Sequence, residues 1–199
     1  TPVIYKGRAY IGVGGSGNFA PYSGHNISVI DLKSNTIAYS IETRGYPQAS
    51  SLLTTAYEKD DQSVYVYFFE NLTPGKMRVI KDKPGQTAPS EVQIETDNRQ
   101  NQYTVAPTLF TPSGAHAQYV ICSPIADEYG NIYFKNDSSH MFMIGPTIKE
   151  LRITQKPKKT EYTVGETFDP TGLKVEAVYS TGKTRDITKY IGYNTNPLS

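Results

Sequence analysis

The chain has 199 residues with 20 Lys and Arg against 19 Asp and Glu, a formal charge of +1. No net field of that size recruits nucleic acid or a membrane surface, and no apolar run approaches the ~18 residues of a membrane span. One cysteine, Cys122, excludes an internal disulfide and a cysteine-built zinc centre.

Strand-favouring Ile, Val, Thr, Tyr and Phe total 72 residues, whereas Ala, Leu and Met total 22. That balance predicts an all-β protein. Gly 16 and Pro 13 suit short strands joined by turns.

In chain order, the first predicted strand is Arg8 to Val13, followed by Asn26 to Leu32 and Thr36 to Thr43. Lys33-Ser34-Asn35 joins the last two as a hairpin turn. Lys59-Asp60-Asp61-Gln62 turns into Ser63 to Phe69, a run apolar enough for burial on both faces. Pro74-Gly75 leads into Met77 to Lys81, and Glu91 to Thr96 follows. Tyr119 to Ile125 reads as a strand entering the Asp127-Glu128-Tyr129-Gly130 turn. Asn131 to Lys135 and His140 to Ile144 close this region.

A weak repeat runs through these elements. Polar turns precede strands carrying Tyr10, Tyr65 and Tyr133, and a second strand follows each. Ser40-Ile41-Glu42-Thr43 and Gln93-Ile94-Glu95-Thr96 add a matching strand end to the first two units. The spacings exceed the roughly 40–50 residues of common propeller blades, so inserted loops are expected.

Ser123 to Asn136 and Ser28 to Thr36 resemble the blades of PQQ-like, quinoprotein-type β-propellers. The resemblance covers residues 1–146 and implies about three blades of partial β-propeller-like sheets. The blade tryptophan is missing and Asn35-Thr36 stands where that family has a glycine, so quinone binding is not implied and no cofactor is expected. Because propellers typically need about 4–8 blades, three imply a fragment of something larger or a ring completed by a second chain.

Beyond Pro146 the pattern changes. Ile148 to Thr154 alternates as a half-buried strand. Pro157 to Gly182 closely resembles a bacterial Ig-like domain of the kind repeated in Gram-positive surface proteins. In that pattern Gly165 and Gly172 mark turns, while Tyr162, Phe168, Leu173, Val175 and Ala177 face a sandwich core. The resemblance implies a domain over 147–199 lacking its last strands, cut from a larger protein or completed by strands of a neighbouring copy.

Chemical motifs are sparse. Gly12-Val13-Gly14-Gly15-Ser16-Gly17 matches a dinucleotide fingerprint, but Asn18 to Gly24 cannot supply the helix it needs, so an interstrand loop is expected. His25, His116 and His140 show no metal-ligand spacing, and no metal site is expected. Asp127 to Asn131 lacks the ligand series of a calcium loop and reads as a hairpin turn. Asp31, Glu42, Asp60, Asp61 and Glu70 read as turn and strand-face groups, and Cys122 as a small buried hydrophobe. Lys156, Lys158 and Lys159 read as a solvated edge.

Aromatic loops are the remaining candidates. Phe19, Tyr22 and His25 form one cluster in sequence, and Tyr103, Phe110 and His116 another. Planar rings on loops of a rigid β scaffold suit stacking on sugars or peptide side chains. These features predict a non-catalytic interaction module with an Ig-like spacer. Its expected partner is an extracellular glycan or protein surface, and the resemblances imply an extracellular or cell-wall location. The alternative is an accessory region of an extracellular polysaccharide-degrading enzyme, marked by two carboxylates about 5–10 Å apart in a cleft.

Overall fold

The computed structural model describes residues 1–15 and 24–192. Its regular structure is almost entirely β, divided into two compact units, Thr1–Ile144 and Gly145–Ser199.

The first unit contains three open sheets, which complete no ring among the described residues. Strands β1 (Val3–Tyr5), β2 (Arg8–Val13), β3 (Asn26–Asp31) and β4 (Thr36–Glu42) form an antiparallel meander. The second sheet comprises β5 (Leu52–Thr54), β6 (Val64–Phe69), β7 (Met77–Asp82) and, after an inserted hairpin, β10 (Thr108–Phe110). That hairpin, β8 (Gln93–Thr96) and β9 (Gln102–Val105), joins the first sheet through a parallel contact of β9 with β4. The third sheet is β11 (Ile125–Ala126), β12 (Ile132–Lys135) and β13 (Met141–Ile144).

Alternation along each strand decides how these sheets stack. Tyr10, Val29 and Tyr39 of the first sheet share one buried cluster with Val66, Phe68 and Ile80 of the second. The opposite face of the second sheet presents Tyr67, Phe69 and Met77 to Ile132 and Phe134 of the third. The run Val64–Phe69 is therefore packed on both faces, as its unbroken apolar character requires.

Two ionic clusters fasten the first sheet to the second. The Arg8 guanidinium donates from Nε and Nη2 to the two Asp82 oxygens, each at 3.0 Å. The Tyr10 and Tyr39 hydroxyls donate to the same carboxylate at 2.8 and 2.9 Å. Burial, followed by the Asp82 charge, pushes both phenols well above the usual tyrosine range. In the second cluster Arg78 donates to Glu70 at 2.8 Å and to Glu95 at 2.9 Å, while Lys76 also reaches Glu95. Paired in this way, buried charges are tolerated, although the Arg78 Nε finds no partner among the described residues.

One turn recurs. At Lys59–Ser63, Asp97–Asn101 and Asp127–Asn131 the first N–H bonds the fifth carbonyl, and the fourth N–H bonds the first carbonyl. The fourth residue has a left-handed backbone: Gln62 at φ +64°, Gln100 at +68° and Gly130 at +88°. A tyrosine follows three residues later each time, as Tyr65, Tyr103 and Tyr133. Asp97 and Asp127 each bond two backbone N–H groups, an asparagine amide and that tyrosine's hydroxyl. The Asp127 segment is thus a hairpin turn. Burial opposes ionisation of both aspartates, but these donors outweigh it and hold both carboxyls below their usual range.

The expected strand over Tyr119 to Ile125 shrinks to Ile125–Ala126. Pro124 offers no N–H for a ladder, and Gln118 O and Tyr119 O instead accept from Gly75 and Asp137.

The second unit is a three-stranded antiparallel sheet of β14 (Ile148–Gln155), β15 (Lys174–Tyr179) and β16 (Thr184–Asp186). Leu173, Val175 and Ala177 are buried. Tyr162 and Phe168 are only half-buried, with ring centroids 6.0 Å apart. Gly165 and Gly172 have φ of +95° and +89°, in keeping with turns. The half-buried strand expected at 148–154 is instead exposed along its whole length, and Ile148, Leu151 and Ile153 of this edge strand are not covered by the described residues.

Candidate functional site

The strongest concentration of unusual side chains lies where the segment after β10 meets the β12–β13 hairpin. Asn136, buried in that hairpin, donates from Nδ2 to His116 O at 2.7 Å. Its Oδ1 accepts from Ser138 N at 3.1 Å. One amide therefore fixes both the hairpin and the short 3-10 turn Gly114–His116.

This tie brings His116 against His140, with ring centroids 4.1 Å apart and planes at 64°. His116 also meets Phe142 edge-on at 6.1 Å. Phe142 stacks on Phe134 at 4.9 Å and lies 5.7 Å from Phe110, while Phe134 reaches Phe69 at 4.7 Å. A continuous aromatic path thus runs from the core to an exposed imidazole. His140 Nδ1 lies 2.8 Å from Ser138 O, and a carbonyl only accepts, so Nδ1 is the donor and Nε2 is the ring nitrogen left to other partners. His116 Nδ1 is buried and finds no partner among the described residues.

Beside this path is a cavity of about 130 Å³ lined by Tyr119, Ile121, Cys122, Lys135, Asn136 and Asp137. Its rim mixes an apolar side chain with groups of both charges. The hydrogen bond to Asp137, together with that carboxylate's charge, raises the Tyr119 phenol above its usual value. Cys122 is half-exposed rather than buried, and its thiol donates to Lys135 O.

The six residues expected to bind ligand separate. Phe110 and His116 come together through Phe142. Tyr103 lies elsewhere, with its hydroxyl on Asp97 and its ring 5.5 Å from the Arg44 guanidinium carbon. His25 is not a loop contact: it is 2 % exposed, accepts at Nδ1 from Gly15 N and packs against Tyr46. Phe19 and Tyr22 lie outside the described residues, as do Ser16 and Gly17 of the glycine-rich loop. His140, Phe142 and Tyr119 complete the site, and nothing local in the sequence marks them as partners of His116. Their signal, an aromatic on each side of the Asn136-Asp137-Ser138 turn, is legible only once that turn is known to fold back on residues 116–119.

The acidic candidates serve local structure. Asp31 and Asp61 cap turns through Ser34 N and Ser63 N, and Glu42 accepts from Thr104 N. Glu70 is fully buried between Arg78 and the Arg44 N–H. Among the described residues no three His, Cys, Asp or Glu side chains gather as metal ligands. No helix among them is long and apolar enough to cross a membrane.

Residues 155–191 match the family model described as bacterial Ig-like domain (group 3). That match spans β15 and β16 and the turns around them, within the second unit. No curated protein is similar enough to the chain to indicate kinship.

Proposed function

We propose that the chain is a non-catalytic binding module of a secreted or wall-associated bacterial protein. In this reading the first unit is a stack of propeller-like blades presenting a ligand site, and the Ig-like unit is a spacer. The ligand class is an extracellular glycan or protein surface.

The observation that carries the proposal is the aromatic and imidazole path ending at His116, His140 and Phe142, next to the Tyr119 cavity. Such rings supply rigid contact area at low entropic cost, and Asn136 pre-orders them. The Ig-like match supports a surface-protein context, since that domain type occurs in bacterial surface proteins. Asp31, Glu42, Asp61 and Glu70 are already engaged by backbone N–H groups or arginine, which favours binding over hydrolysis.

The test is a glycan and extracellular-protein array probed with the purified chain and with a His116→Ala/Tyr119→Ala variant. The proposal expects at least one saturable signal in the parent that falls by more than tenfold in the variant. Absence of any signal, or signals equal in both proteins, would overturn it.

A further inference from the structure

The sheets of the first unit repeat one relation. Tyr10 of β2 points into the cluster shared with the second sheet. Tyr65 of β6, its counterpart three residues after the left-handed turn position, points into the cluster shared with the third. Tyr133 of β12 holds the same place in the third sheet, and its neighbours Ile132 and Phe134 point back into the second cluster. Tyr133 therefore lies on the outward face, where a following sheet would sit.

That face is largely apolar, with Lys135 at its end. Cross-strand register aligns Ile125, Tyr133 and Met143 in one row, and Lys135 with Met141 in the next. Met141 is 77 % and Met143 62 % exposed, and Ile125 is exposed as well. At the other end of the stack, the outward face of the first sheet carries Ile4, Ala9, Ile30 and Ile37, aligned by register across β1 to β4. Ile4 is 62 % and Ile37 64 % exposed at the two ends of that row, with Ile30 half-buried and Ala9 buried between them. One end of the stack thus has the face that a sheet packs onto, and the other end has the face that a preceding sheet packs against.

We infer that these two faces bind each other between copies of the chain. The third sheet of one copy packs on the first sheet of a second copy, continuing the interface already used twice within each copy. The contact is head-to-tail, so it closes only if rotation per sheet permits. A second copy fits better than an unrelated partner because the complementary face is present on the same chain, in the same repeat phase. The inference rests on the stacked sheets of the proposed module, not on its ligand, so failure of the array experiment would leave it standing.

Sedimentation velocity on the full chain tests it, from about 1 to 100 µM, the range of weak to moderate association. The parent is expected to form dimers. Met143→Glu and Ile37→Glu, on opposite faces, are each expected to weaken association by at least 100-fold. An equimolar mixture of the two should recover a 1:1 dimer, because it retains one unaltered pair of faces. Unchanged far-UV circular dichroism must accompany each variant; if Met143→Glu fails that check, Met141→Lys replaces it. A parent that stays monomeric at the top concentration would overturn the inference. So would a dimer that either variant leaves intact, or a mixture that stays monomeric.

Discussion

Removing Asp82 should be the most damaging single change in the first unit. Its two oxygens accept from Arg8 Nε and Nη2, Tyr10 Oη and Tyr39 Oη, and the carboxylate is fully buried. In Asp82→Ala the Arg8 cation keeps Gln86 O at 2.7 Å, a 3.5 Å contact with Asp31 and the Tyr39 ring at 5.9 Å. Breaking one side of a buried pair costs about 3–5 kcal/mol, and two phenols without an acceptor add roughly 1 kcal/mol or more each. The total of about 5–7 kcal/mol rivals the whole stability of a domain, about 5–15 kcal/mol. Arg8→Met should cost clearly less, because Asp82 retains two phenolic donors. The diagnostic outcome is the double variant. Adding Arg8→Met to Asp82→Ala removes the stranded cation and should restore roughly 2 kcal/mol. Urea unfolding followed by tyrosine fluorescence reads these differences, since the chain has no tryptophan. An Asp82→Ala loss under about 1 kcal/mol, or a double variant weaker than Asp82→Ala, would refute the reasoning.

Acid unfolding should report Glu95. Burial raises its carboxyl, but Arg78 and then Lys76 prevail and hold it at about 2, against an ordinary 4.5. Its stabilisation is complete above the ordinary value and fades as pH falls toward 2; discounted for solvent screening it is roughly 1–3 kcal/mol, and Glu95→Gln should flatten stability across that window. Gly130 and Gly7 form a matched pair in thermal melts. A Cβ at Gly7 meets nothing within 4 Å, so Gly7→Ala pays only for its positive φ, about 1 kcal/mol. A Cβ at Gly130 would lie 2.7 Å from the Tyr57 ring and 3.0 Å from Ala56, so Gly130→Ala should cost about 2–4 kcal/mol. Asn136→Ala should lose roughly 2–3 kcal/mol and loosen His116, which amide exchange at 116–118 would show as faster deuteration.

Much of the architecture is legible in the sequence because alternation is a local signal. Strands β2, β3, β4, β6 and β7 fall where period-two patterns and turn residues place them. The repeat at Tyr10, Tyr65 and Tyr133 is legible too, whereas its copy at Tyr103 emerges from the structure, where Gln100 takes the left-handed position that Gln62 and Gly130 take in the other turns. Only the hydrogen bonds of Asp97 expose that equivalence. Burial is less legible than periodicity. Ile148 to Thr154 has the alternation of a half-buried strand, yet an edge without an opposing layer leaves it exposed. His25 reads as a loop residue beside Phe19 and Tyr22, whereas its imidazole is buried as the acceptor for Gly15 N. The candidate site was half legible. Phe110 and His116 stand in a loop-rich stretch, but their partners His140 and Phe142 lie more than twenty residues further on, joined by the single amide of Asn136.

The central claim is that ligand meets this protein at the His116, His140, Phe142 and Tyr119 surface. Hydrogen–deuterium exchange on the full chain, with and without the strongest array ligand, tests it most directly. The account predicts protection confined to segments 110–122 and 136–142. Protection centred on the Ig-like unit, or on the hairpin around Tyr103, would contradict it.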